Sequence, residues 1–145
     1  MQSVGIRLYL PDAVLDQRIE PAKLAAYIHA LERQLIGTCI LQDLSPAKGL
    51  LIAIGARPGK TSRVWCEVLE GDLPAELVAD IAADMQGLPV PVIEGGPIAF
   101  AFHIQIQEDD PPVFPDVPAA WLRAANALGV GGINPDAIFA TLWPD

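Results

Sequence analysis

GLLIAIGARPGKTSRVWCEVL (residues 49–69) and PIAFAFHIQIQ (residues 97–107) frame the segment that decides the fold. In the second stretch Ile98, Phe100, Phe102, Ile104 and Ile106 alternate with Ala99, Ala101, His103, Gln105 and Gln107. That period of two predicts a strand with one apolar face and one small or polar face, the latter free to meet water or a partner. In the first stretch two apolar runs flank Pro58-Gly59, a standard hairpin pair, so it reads strand, turn, strand. Between the two lies LPAELVADIAADMQG followed by Leu88, where Leu77, Ile81, Met85 and Leu88, with Val78 beside them, recur at helical spacing.

Working outward, SVGIRLYL before Pro11-Asp12 reads as a first strand. A helix is expected to begin near Pro21, with Leu24, Ile28, Leu31 and Leu35 as its stripe and Gly37 as its stop. TCILQDL after it reads as a short strand or an irregular edge, and Ser45-Pro46-Ala47-Lys48 as a turn. Beyond residue 107, EDDPPVFPDVP is too rich in proline for a helix or a central strand and predicts an extended connection. Pro118 then opens a helix closed by Gly129, Gly131-Gly132 turn the chain, and Asn134 caps a last helix. Trp121, Leu122, Ile138, Phe139 and Leu142 are expected to bring this hairpin of helices onto the sheet. The predicted fold is a single α+β domain over residues 1–145. It has an antiparallel sheet of four or five strands, helices packed mainly on one face, and a C-terminal helical hairpin.

A chain of 145 residues, 52% of them hydrophobic, sustains a full core, and no apolar run reaches the roughly 20 residues of a membrane span. MQSVGIRLYLPD lacks the basic start and apolar stretch of a secretory signal. A cytoplasmic protein is expected, or a periplasmic one if a signal has been trimmed. The abundance of Ala, Pro and Gly suits a bacterial source.

The net charge of −9 is unevenly spread. Between Arg63 and Arg123 there is neither Lys nor Arg, while Glu67, Glu70, Asp72, Glu76, Asp80, Asp84, Glu94, Glu108, Asp109, Asp110 and Asp116 fall in that span. Basic residues collect instead around the hairpin, as Lys48, Arg57, Lys60 and Arg63. Such a surface repels a phosphate backbone and steers a basic protein toward itself. Glu76, Asp80 and Asp84 share one helix face at four-residue steps, a like-charge pattern that costs the helix a few tenths of a kcal/mol per pair. These three, with Glu108, Asp109, Asp110 and Asp116 of the proline-rich loop, form the candidate partner-binding surface.

No motif specifies catalysis. IGARPGKT ends in Gly-Lys-Thr after an apolar strand, but Ile54 stands where a phosphate-binding loop needs its first glycine, and a strand follows where that loop needs a helix. His29, His103, Cys39 and Cys66 are the nominal metal-ligand types, and none lies at ligand spacing from another, so no metal or cofactor is expected. Both histidines read as surface or edge residues. Ser3, Ser45 and Ser62 lie in no nucleophile motif. Cys66 shares its strand face with Val64 and Val68, which favours buried thiols over a Cys39–Cys66 disulfide. Glu94-Gly95-Gly96-Pro97 permits a positive φ or bulge at the entrance to the long strand.

Gly49-Leu50-Leu51-Ile52, the turn at Gly59-Lys60, the strand from Val64 to Val68, and Pro91 followed by Gly95-Gly96-Pro97-Ile98 give residues 49–107 the element order of another module. In that order the segment resembles the C-terminal domain of TonB-type energy transducers. The resemblance implies a small sheet-plus-helix unit whose edge strand receives a partner by strand addition. To that unit this chain adds an N-terminal strand and helix and a C-terminal helical tail. The expected function is a non-enzymatic protein-binding domain of the inhibitor, immunity or adaptor kind, its acidic face engaging a basic protein. The alternative is a small-molecule binder or enzyme with a pocket near His103 and Trp65.

Overall fold

The computed structural model of the chain describes residues 3–107, 109–129 and 134–143. Its order is β1 (Ser3–Leu8), α1 (Asp12–Arg18), α2 (Pro21–Cys39), β2 (Gly49–Arg57), β3 (Thr61–Leu69), α3 (Ala75–Gln86), β4 (Ile98–Gln105), α4 (Ala119–Leu128) and α5 (Pro135–Leu142). The strands form one antiparallel sheet in the order β1-β4-β2-β3. The fold is therefore α+β, with four strands and a C-terminal helix pair.

Alternation along β4 sorts the core into two. Phe100, Phe102 and Ile104 point to one face, where Leu50, Ile52 and Ile54 of β2 join them beneath Leu15 of α1, Leu31 and Leu35 of α2, and Ile81 and Met85 of α3. Three helices thus cover this side. The opposite face is covered as well. Ala99 and Ala101 are fully buried there with Leu51 and Ala53, under Trp121 of α4 and Ile138 and Phe139 of α5. Both faces of the central strands are dry, so the small side chains of β4 mark close packing against aromatic rings rather than contact with water. Gly55 makes the same point, since a Cβ there would lie 2.6 Å from Cζ of Phe139.

Several boundaries depart from the sequence expectation. A seven-residue helix, α1, follows Pro11, which stands at the N-cap with extended backbone, and Asp12 occupies the first turn. It buries only Leu15 within its length, too little to print a stripe in the sequence. Helix α2 does not stop at Gly37. It runs to Cys39, whose side chain is buried, and nothing within 4 Å of a Cβ at Gly37 demands a turn there. Residues 40–44 are turns and irregular chain, with no strand. At the other end, Asn134 caps α5 as expected, its Oδ1 accepting from the amides of Asp136 at 3.1 Å and Ala137 at 3.4 Å. Leu122 points outward from α4, 52% exposed. The expected turn at Gly131-Gly132 lies outside the described residues.

The segments between elements are pinned by charge. Arg18, at the end of α1, donates to the Pro97 carbonyl at 2.7 Å and to both carboxylate oxygens of Asp136 at 2.9 and 3.0 Å. Arg63 donates to the Leu142 carbonyl at 2.8 Å, and Arg57 donates to the Trp143 carbonyl and lies over the Trp143 ring at 3.8 Å. Two of the basic residues around the hairpin thus hold the C-terminal end of α5, where exposed carbonyls favour cations.

Candidate functional site

The seven acidic residues expected to form one partner surface fall into different environments. Asp110 pairs with Lys48 at 2.8 Å, and Glu70 stands 3.6 Å from the same ammonium. Asp116 pairs with Arg7 at 3.2 Å, and its backbone carbonyl accepts from the Tyr9 hydroxyl at 2.7 Å. Two loop acids are therefore met by cations from elsewhere in the chain. Sequence distance hid this, because Arg7 and Lys48 lie far outside the cation-free span. Glu108 lies outside the described residues. Asp109 is exposed with no ion pair among the described residues.

Other acids of the span serve as backbone acceptors. Glu67 accepts from the amide of Ala119, at the start of α4, and Glu70 accepts from the Val113 amide at 2.8 Å. These contacts fasten the proline-rich connection to the outer strand. They are structural in effect, since a carboxylate at a helix N-terminus favours the helix.

Helix α3 is different. Glu76 and Asp80 are exposed, and neither has an ion pair among the described residues. Asp84, one turn on, stands 2.9 Å from the Thr38 hydroxyl of α2, which also lies 3.0 Å from the Gln34 carbonyl and can donate to one of them at a time. The buried side of α3 is Ile81 and Met85, with Leu77, Val78 and Leu88 partly covered, so packing against β3 and α2 sets the outward direction of the acids. Glu76 lies in the first turn, where the helix dipole favours it, whereas the last turn carries no basic residue to balance Asp84. What remains outward is a negative stripe on a helix held rigidly by its opposite face.

His103 and Trp65 each pack against aromatic rings of the C-terminal segments. The His103 ring stacks on Phe114 at 4.7 Å with 3° between planes, and its Nε2 is buried with no hydrogen-bond partner among the described residues. Burial is the main cause that depresses its pKa below the usual histidine value; Arg7 adds to this and Asp116 opposes it. Trp65 stacks on Phe139 at 5.5 Å and meets Trp121 edge-on at 5.2 Å. Burial likewise pushes the Tyr9 phenol up to about 12, with Arg7 pulling the other way.

The two thiols are free, Cys39 buried and Cys66 half-buried. Burial raises both, Cys66 to about 12 with smaller contributions from Cys39 and Glu67, so neither is a thiolate nucleophile at neutral pH. Among the described residues no group of three or more His, Cys, Asp or Glu is placed to hold a metal ion. His29 is exposed on α2. Nor is any described helix long and apolar enough to cross a membrane. An open cleft of about 470 Å³ lies between the last turn of α2 and the end of β4, lined by Ile36, Cys39, Ile40, Leu44, Ile106 and Gln107 among others. Cys39 and Asp43 are the titratable residues named in its lining, and the Asp43 carboxylate accepts from the Ser45 hydroxyl at 2.6 Å. No family model, curated protein or solved structure matches the chain.

Proposed function

We propose that the chain is a non-enzymatic protein-binding domain, of the inhibitor, immunity or adaptor kind, whose α3 face engages a basic protein. The observation that carries this reading is the contrast among the acids. Asp110 and Asp116 are met by Lys48 and Arg7, while Glu76 and Asp80 stand outward on α3 without an ion pair among the described residues. A like-charged stripe weakens its own helix slightly, and a cationic partner relieves that repulsion. The same stripe repels a nucleic-acid backbone. A soluble scaffold holding such a helix on an apolar bed suits recognition, and the packing of aromatic rings against His103 and Trp65 weighs against a small-molecule site there.

The experiment is capture of a partner on the immobilised chain, followed by association kinetics at low and high salt. Complementary charge acts mainly on the rate of encounter, so the on-rate should fall by about tenfold or more between roughly 50 and 500 mM salt. Glu76→Lys with Asp80→Lys should slow association while the far-UV spectrum stays unchanged, because both side chains are exposed. A specific partner whose on-rate ignores both salt and the reversals would place recognition on another face.

A further inference from the structure

The connection from β4 to α4 lies against the sheet without a backbone ladder of its own. Pro111, Pro112, Pro115 and Pro118 supply no amide. Among the described residues its polar contacts with the strands run through side chains. The Val113 amide donates to the Glu70 carboxylate at 2.8 Å, and the Asp116 carbonyl accepts from the Tyr9 hydroxyl at 2.7 Å. The Asp116 carboxylate meets Arg7 at 3.2 Å. At the middle of the segment Phe114 lies flat on His103, and Pro112 sits so close over Gly49 that a Cβ there would lie 2.5 Å from its Cγ.

His103 stands opposite Gly5 of β1 and Leu51 of β2, both uncharged. The charged groups that act on its ring are Arg7 on β1 and Asp116 on the connection. Glu67 of β3, opposite Leu51, accepts from the Ala119 amide. While the ring is neutral, Nε2 can go without a proton, and only a lone pair is buried unpaired. As imidazolium both nitrogens carry protons, so Nε2 becomes a charged donor without an acceptor, with the Arg7 guanidinium acting against it. Lifting Phe114 brings water to that nitrogen.

We infer that residues 112–117 are an acid-released strap, closed over the sheet while His103 is neutral and lifted from it when the ring takes a proton. The sign follows from linkage. Burial, with Arg7 second, depresses the closed ring below its ordinary value, whereas a hydrated ring titrates near 6.5. As pH falls below that value the open form binds the proton first, and acid shifts the balance toward it. The ceiling on the shift is about 30-fold at pH 5, reached when the closed ring takes no proton at all. Two attractions oppose release. One is Asp116, which is already engaged by Arg7, and the other is the face of Phe114, which draws cations.

The opening is local. Lys48 holds Asp110 at one end of the segment, and Glu67 holds the Ala119 amide at the other. Helices α4 and α5 stay seated through Trp121 and Phe139. What the strap bares is the sheet at Gly49 and His103, on the face opposite α3. The strap therefore does not rest on the acidic-face reading, and the α3 reversals leave it intact.

Hydrogen exchange at pH 7.5 and pH 5, each rate divided by its intrinsic value at that pH, reads the opening. The reporters are the amides of Val113, Phe114, Asp116 and Val117. Opening should rise about tenfold on acidification in the unaltered chain and less than about threefold in His103→Gln. The amides of Ile52 and Phe102, in the central strands, should stay protected in both. Acid acting on Glu70, Glu67 or Asp116 moves both chains alike, so the difference between them belongs to His103. A difference under about threefold overturns the inference. The imidazole proton resonances give a second reading on the unaltered chain, with His103 identified by its contact with Phe114. Its midpoint should lie below about 6.5, and Phe114→Leu should move it up toward that value. A midpoint at or above about 6.5 in the unaltered chain, or one that ignores Phe114→Leu, means that the closed strap accepts the imidazolium, and the inference fails.

Discussion

His103 lies flat on Phe114, 4.7 Å between ring centroids, and the contact leaves Nε2 buried without a hydrogen-bond partner among the described residues. A ring in that position accepts a proton reluctantly. Burial is the first cause of its depressed pKa, and the guanidinium of Arg7 is the second. In the unfolded chain the same ring titrates near 6.5. As pH falls through that value the unfolded state takes up the proton before the folded state does, so folding loses stability. Urea unfolding at pH 7.5 and pH 5 should therefore show a loss on acidification that is smaller in His103→Gln. An equal loss in both would mean that the ring is hydrated in the folded protein.

Burial of the two sheet faces can be probed separately. Phe102 is fully buried on the face covered by α1, α2 and α3, and Phe102→Ala should cost about 3–5 kcal/mol in chemical unfolding. Ala101 is fully buried on the other face, in the cluster of Trp121 and Phe139, where Ala101→Leu should cost about 1–3 kcal/mol by overpacking. A neutral Ala101→Leu would mean that α4 and α5 are not closed over the sheet.

That second face shows where sequence reading stops. The alternation in β4, the stripe of α2 and the cap at Asn134 are local patterns, and they were legible. Ala99 and Ala101 were ambiguous, because a small residue fits equally well beside water or beneath an indole. Only the return of Trp121 decides between the two. The charges behaved alike. Glu76 and Asp80 share a helix face by spacing alone, but Arg7–Asp116 and Lys48–Asp110 exist only because strand order brings distant segments together. Helix α1 escaped notice because its seven residues bury a single leucine.

Gly96 offers a test of the clasp at Arg18. Its φ is +151°, and a Cβ there would lie 2.8 Å from Cζ of Arg18. Gly96→Ala strains the backbone and displaces the guanidinium from the Pro97 carbonyl and the Asp136 carboxylate together, a cost of roughly 1–3 kcal/mol or more. Asp136→Asn removes only the half-exposed ion pair and should cost about 1 kcal/mol or less. If the two variants cost the same in thermal unfolding, Arg18 is not held by the loop in the way described.

Lys60 occupies the third position of the loop Pro58-Gly59-Lys60, between the paired residues Arg57 and Thr61. Gly59 has φ +97° and Lys60 φ +62°, so both lie in the left-handed region that closes a tight hairpin. A phosphate-binding lysine stands instead where a glycine-rich loop enters a helix, with amides converging on the anion. Here the chain leaves Lys60 directly into β3, and its side chain stands at an exposed hairpin tip. Two outcomes follow from that geometry. Lys60→Gly relieves the left-handed strain but adds freedom to the unfolded chain, so its stability should change by no more than about 1 kcal/mol in either direction. Lys60→Ala should leave the chain as indifferent to ATP and GTP as the unaltered protein in calorimetric titration. Saturable binding of either nucleotide at about micromolar affinity, lost in Lys60→Ala, would contradict the turn assignment, since only amides and a lysine arranged around phosphate produce that pairing of results.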